Sequence, residues 1–266
     1  MTPWARRILI ANIVVFFLTS VNPGLVRMLA FVPHLGDTLL HPWTPVTYMF
    51  VHAGIMHIGF NMLVLFFFGP RLEMRLGARN FLWLYFASGL GGAALHFLSR
   101  MVGLAFGIDV LMPIAPVVGA SGATYGIMLA FAWFWPREMI YIWGVLPVQA
   151  RWLVAAMTVV SLLGIRANDG IAHFAHLGGF AAAFLFLKLL ELRSPQRQFK
   201  KRIYAHVAPS PTKDPIHMKR WQSVNREGLH EVNRAEFDRL MSKLQERGIS
   251  SLTLDERAFL DRCANY

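Results

Sequence analysis

Six stretches of this chain are almost wholly apolar, and they are separated by segments where arginine, proline and glycine gather. They run over roughly 7–30, 55–74, 79–100, 119–136, 150–165 and 171–190. Runs approaching the roughly 20 apolar residues that cross a bilayer as a helix predict membrane spans. The fifth is short for a crossing helix and is bracketed by Arg151 and Arg166. Between the first two spans lies FVPHLGDTLLHPWTPVTYMFVHAG, residues 31–54, with three prolines and with Trp43 and Tyr48 suited to an interface. This segment predicts a partly embedded loop with short helical pieces.

After Ser194 the pattern changes. SPQRQFKKRIYAHVAPSPTKDPIHMKR is basic and dotted with proline, as a linker is. Phe237, Leu240, Met241 and Leu244 then recur at helical spacing up to Gly248, a C-cap signal. A second helix opens at Thr253, with Glu256 three residues on as a capping box. Two such helices bury little by themselves, so they are expected to dock or to pair with a second copy. The expected domains are a membrane region over 1–193, a basic linker over 194–226 and a short helical tail over 227–266.

Composition supports the membrane reading. The chain has 266 residues, 55% of them hydrophobic and only 15% charged, against about 25% charged in soluble domains; its mean hydropathy is +0.44. The net charge of +11 could suggest nucleic acid. However, the basic residues flank the apolar runs or lie in the tail, where they meet lipid headgroups, so nucleic acid is not an expected partner. Cys263 is the single cysteine and forms no intramolecular disulfide. The opening MTPWARRILIANIVVFFLTS resembles a signal peptide but lacks an A-x-A cleavage site, and it reads as a retained first helix. Arg6, Arg7, Arg71, Arg75, Arg79, Arg137, Arg151 and the cluster after Lys188 outnumber Arg27, Arg100 and Arg166 of the opposite loops. The positive-inside rule puts both termini in the cytoplasm. Trp133, Trp135 and Trp143 read as an aromatic belt on that side.

Polar side chains inside spans are costly and mark function by default. Those that come in pairs are His57/Asn61, Ser121/Tyr125 and His173/His176. The first two pairs are i,i+4 and the last i,i+3, so each lies on one helical face. From Ser121 to Pro136 is about 22 Å of helix and from His176 to Leu190 about 21 Å, which puts serine and histidine at one depth. Asn61 falls at a similar level if its helix ends near Arg75. Gly122 and Gly126 form a GxxxG on one span, and Gly179 with Ala183 a small-xxx-small on another. Such faces bring helices close, and that closeness could set Ser121 against His176 as nucleophile and base. His96 and His52 read as interfacial, and His173 as lying one turn above His176 at the water interface. The acids Asp37, Glu73, Asp109, Glu138 and Asp169 fall in loops or at span ends. The metal alternative, His52, His57, His173 and His176 around zinc, lacks an HExxH and any carboxylate within the spans, so no metal or cofactor is expected.

GASGATYG followed by AHLGGFAAA, with HAGIMHIGFN upstream, resembles the rhomboid intramembrane serine proteases over residues 8–190. The resemblance implies an all-α, six-transmembrane-helix bundle with both termini inside, and a peptidase working through a Ser-His dyad. It implies Ser121 as nucleophile, His176 as base, and Asn61 and His57 as oxyanion-hole groups. Tyr125 would pack on the histidine, with Gly122 and Gly179 supporting the site. Ala183 departs from the family, where a second glycine is usual, and predicts slightly looser packing. The implied partners are transmembrane protein substrates, cut near the outer end of a span, and membrane lipid. The tail, with SLTLDERAFLDR, resembles an extension of some bacterial rhomboids and could mediate self-association. That likeness implies a bacterial inner membrane. The rival is a catalytically silent rhomboid-like chaperone or trafficking factor; such members lose the nucleophile or the base, and this chain keeps both.

Overall fold

The computed structural model describes residues 1–108, 116–142, 144–165, 171–193 and 214–264. Asp109, Trp143, Arg166, Asp169 and residues 194–213 of the expected linker lie outside the described residues. The chain divides into two compact units, Met1–Arg193 and Ser194–Tyr266.

The first unit is a helical bundle. Its elements are α1 (Pro3–Val21), α2 (Pro23–Leu29), α3 (Leu35–Leu40), α4 (Thr44–Thr47), α5 (Ile55–Leu76), α6 (Ala78–Phe106) and α7 (Ser121–Phe134). A two-stranded hairpin of β1 (Met139–Ile142) and β2 (Leu146–Gln149) leads to α8 (Ala150–Gly164), and α9 (His173–Leu192) follows. Among the described residues, α1, α5, α6 and α9 are long and apolar enough to cross a membrane. Helices α7 and α8, of 14 and 15 residues, are shorter.

The first expected span is interrupted. Pro23 cannot follow a helical residue without clashing with it, so Asn22 is extended and caps α2 by accepting a hydrogen bond from the Gly24 N–H at 3.1 Å. The start of α1 has no acid in its own first turn. Its acceptor comes from another helix: the buried Glu73 carboxylate, in the last turns of α5, takes the N–H groups of Trp4 and Ala5 at 2.8–3.1 Å. A carboxylate at a helix N-terminus satisfies orphan donors and complements the dipole together. Glu73 does sit at a span end, as its place in the sequence predicts, and there it is a structural tie between α1 and α5.

The 31–54 segment does carry short helical pieces, but Tyr48 is no interface residue. It is 1% exposed, and its hydroxyl donates to the Gly89 carbonyl of α6 at 2.7 Å. His96 is likewise buried on α6, one turn from buried Arg100, and the interfacial reading fails for it too. The core runs through Leu65 and Leu72 of α5, Phe81, Leu84 and Tyr85 of α6, and Ile127 of α7.

The second unit contains one helix more than the pattern predicts. Helix α10 (Asp214–Gln222) falls inside the expected linker, ahead of α11 (Glu231–Arg247) and α12 (Leu254–Cys263). Pro215 reads as linker punctuation in sequence, yet in the first turn of a helix its missing N–H costs nothing. Helix α10 brings Trp221 into a small core with Phe237, Leu240, Leu244 and Leu260, so the tail buries apolar surface within itself. The Trp221 indole N–H donates to Asp261 at 2.9 Å. Gly248 ends α11 at a φ of 74°, and Thr253 and Glu256 form the capping box of α12.

The Lys243 ammonium, with the Thr253 backbone N–H, holds the Glu256 carboxyl at about 2 rather than 4.5. A carboxylate depressed by folding stabilises the fold above its ordinary value and ceases to do so as pH falls through its folded one. Hydrogen-exchange protection of α12, corrected for intrinsic rates, is therefore expected to fall between pH 4.5 and 2. Glu256→Gln should lower that protection at neutral pH and leave it unchanged at the acid end.

Candidate active site

The site is built where the chain enters α7. Val117 exchanges backbone hydrogen bonds with Phe31 at 3.0 and 2.8 Å, and the Gly119 N–H donates to the Tyr48 carbonyl at 2.9 Å. Gly119 has a φ of +119°, and a Cβ there would lie 2.5 Å from Nε2 of His57. Glycine is required twice over, by conformation and by the ring. The next N–H, of Ala120, donates to Nε2 of His52 at 3.3 Å, while Nδ1 of His52 faces the Phe50 carbonyl at 3.3 Å. These partners assign His52 as the neutral Nδ1–H tautomer. It is buried, with its ring edge-on to His57 at 5.1 Å. The interfacial reading of His52 gives way to a buried one, as a fastener of the segment that presents Ser121. The signal was its spacing of five residues before His57, which the i,i+3 and i,i+4 search passes over.

Ser121 opens α7, and its Oγ lies 2.9 Å from Nε2 of His176 on α9. Tyr125, one turn further along α7, stacks on the His176 ring at 4.1 Å and 19°, and also packs on Phe180. Serine and histidine can meet because the two helices touch by their backbones. A Cβ on Gly179 would fall within bonding distance of the Gly122 carbonyl oxygen. Gly126, by contrast, meets Ser88 of α6 most closely, so the GxxxG of α7 serves two neighbours and not α9 alone. Ala183 is fully buried beside Gly126, whose missing Cβ leaves it room. The alanine departure is absorbed locally.

Asn61 of α5 lies on the other side of α7. Its Oδ1 accepts from the Thr124 hydroxyl at 3.0 Å, and its Nδ2 donates to the His57 carbonyl at 3.0 Å. Thr124 also lies 3.1 Å from the Ser121 carbonyl. A single hydroxyl proton serves one acceptor at a time, so Thr124 couples Asn61 to the first turn of α7. Thr124 escaped the sequence reading because a threonine bonding within a helix is ordinary. His173 is not at a water interface: it is buried, its ring 6.2 Å from that of His176 and pressed against Gly164 of α8. Among the described residues no group of three or more His, Cys, Asp or Glu is placed to hold a metal ion.

The helix contact yields a paired prediction. Gly179→Val must force α9 away from the Gly122 carbonyl, an overpacking that costs about 1–3 kcal/mol or more. Gly59→Ala on α5 has nothing within 4 Å to meet, and it should be neutral or stabilise by roughly 0.5–1 kcal/mol. Thermal unfolding in detergent checks both.

Residues 40–192, more than half of the chain, match the model of the Rhomboid domain. The chain is 32% identical to RHOMBOID-like protein 1 of Arabidopsis thaliana over 164 residues, 60% of this chain and 37% of that protein. To RHOMBOID-like protein 12, mitochondrial, of the same plant it is 35% identical over 147 residues, 53% of this chain and 44% of that one. To Rhomboid protein 1, mitochondrial, of Saccharomyces cerevisiae it is 31% identical over 160 residues, 59% of this chain and 44% of the other. The matches span less than half the length of these relatives. They are plant and yeast proteins, two of them named mitochondrial, and lend no support to a bacterial inner membrane.

Proposed function

This chain belongs to the rhomboid family, and on that premise we propose that it is an intramembrane serine endopeptidase acting on transmembrane segments of other membrane proteins. The observation that carries this reading is the 2.9 Å approach of Ser121 Oγ to His176 Nε2 under a stacked tyrosine. Serine is a poor nucleophile until a base takes its proton. In the proposed reaction His176 accepts the Ser121 proton as Oγ attacks the scissile carbonyl. It then returns a proton to the leaving amine, and water releases the acyl group by the same route reversed.

Negative charge on the attacked oxygen needs donors in place. The Ser121 N–H, in the first turn of α7, has no acceptor within its own helix. Asn61, coupled through Thr124 to the first turn of α7, and His57, against Gly119, are the proposed further donors, and each donor of this kind is worth about 3 kcal/mol in other hydrolases. The proposed topology has six membrane helices, α1 and α5–α9, with both termini in the cytoplasm. Ser121 then opens toward the outer side, about 20 Å along α7 from Phe134. Arg71, Arg75 and Lys188 face Trp135, Phe134 and Trp133 at the other end, as the positive-inside rule asks.

Ser121→Ala and His176→Ala are each expected to abolish cleavage of a model transmembrane substrate. His173→Ala, whose ring packs on α8, should retain substantial activity. Asn61→Ala should lower kcat about a hundredfold with little change in KM, because it acts on charge that forms only in the transition state. Full cleavage by correctly inserted Ser121→Ala would sink the enzyme and favour a binding or trafficking role.

A further inference from the structure

Between α7 and α8 the chain carries MIYIWGVLPV, residues 139–148, without a single charge. A turn bathed in water is ordinarily polar. This one pairs Ile140 with Val148, Tyr141 with Pro147 and Ile142 with Leu146, so beyond the Met139–Gln149 pair at its root neither face of the ribbon is polar. Met139 is 44% exposed, Tyr141 61%, Val145 80% and Leu146 58%. A lone two-stranded ribbon is marginal in water, and this one cannot hide its apolar side chains against itself. Its base is nonetheless fixed. Arg71 of α5 pairs with Glu138 at 2.9 Å, and the Ala150 and Arg151 N–H groups close back on Glu138 and Pro136. The tip projects from a firm root.

We propose that this hairpin is an interfacial anchor that lies among the lipid headgroups and upper acyl chains. It does not depend on the proteolytic reading. Three observations select the bilayer as its occupant. The hairpin leaves α7 at the end where arginine and lysine lie over Trp135, Phe134 and Trp133, the residue types of the membrane–water boundary. Exposed Arg137 and Arg151 flank its root and match the charge of anionic headgroups. The depth is bounded as well: a two-stranded ribbon leaves the backbone groups of its outer edges unpaired, which hydrocarbon does not tolerate and the hydrated interface does. Tyr141, Val145 and Leu146 therefore enter the upper acyl region while the ribbon edges keep water.

The test uses the full chain in nanodiscs containing phosphatidylglycerol, with Cys263→Ser and a nitroxide on Val145→Cys. Power saturation compares collisions with oxygen, which concentrates in lipid, and with a water-soluble nickel chelate. The label is expected to favour oxygen severalfold, at a depth of about 5–10 Å below the headgroup boundary. The same label on Leu254→Cys, exposed on α12, is the water-side control. Arg137→Glu with Arg151→Glu should shift the Val145 label outward toward the chelate. Equal chelate access at Val145 and at the Leu254 control would overturn the proposal. Shielding from both reagents would overturn it also, since that marks a protein contact.

Discussion

The bundle turns on one backbone-to-backbone contact. Gly179 of α9 lies so close over the Gly122 carbonyl of α7 that no side chain fits between them. Without that approach, α7 and α9 would stand off by a layer of side chains, and Ser121 could not reach His176. Lipid gives helices no hydrophobic reason to come together, so small residues and short-range packing must do it. Gly126 against Ser88, and Gly91 and Gly92 against the backbone of α9, extend the same device to α6. The bundle is tightest where the polar groups are. Outward from that zone its surface turns to aromatic and aliphatic side chains such as Phe67, Trp83 and Phe184.

The second constraint is the clamp on residues 117–120. A helix that begins at a reactive serine cannot itself fix its first residue, because its first N–H groups have no partners within it. Here three ties within four residues do so: Phe31 to Val117, Tyr48 to Gly119 and His52 to Ala120. All three come from the proline-rich segment between α1 and α5, which sequence alone marks as a loop with short helical pieces. That loop is thus part of the scaffold of the site.

This explains what was legible in the sequence and what was hidden. Pairs at i,i+3 and i,i+4 declare a shared face whatever the tertiary structure, so Ser121/Tyr125 and His57/Asn61 could be singled out. A rise of 1.5 Å per residue then puts Ser121 and His176 at one depth, and the structure brings them to 2.9 Å. The interfacial readings of His52 and Tyr48 failed, and the tie made by Glu73 stayed hidden, because their partners are backbone groups of distant segments, to which side-chain patterns are blind. The break at Asn22 was missed because apolar residues continue on both sides of Pro23, so hydropathy carried across it. Trp221 was read as linker for a related reason: a single aromatic in a basic run has no period to announce a helix.

Proteolysis at this site requires that His176 activate Ser121. Purified full-length protein treated with a fluorophosphonate probe, followed by mass-spectrometric mapping, tests this most directly. The adduct is expected on Ser121, with labelling lost in His176→Ala and kept in His173→Ala. No adduct on Ser121 in folded, monodisperse protein, or undiminished labelling in His176→Ala, would contradict it.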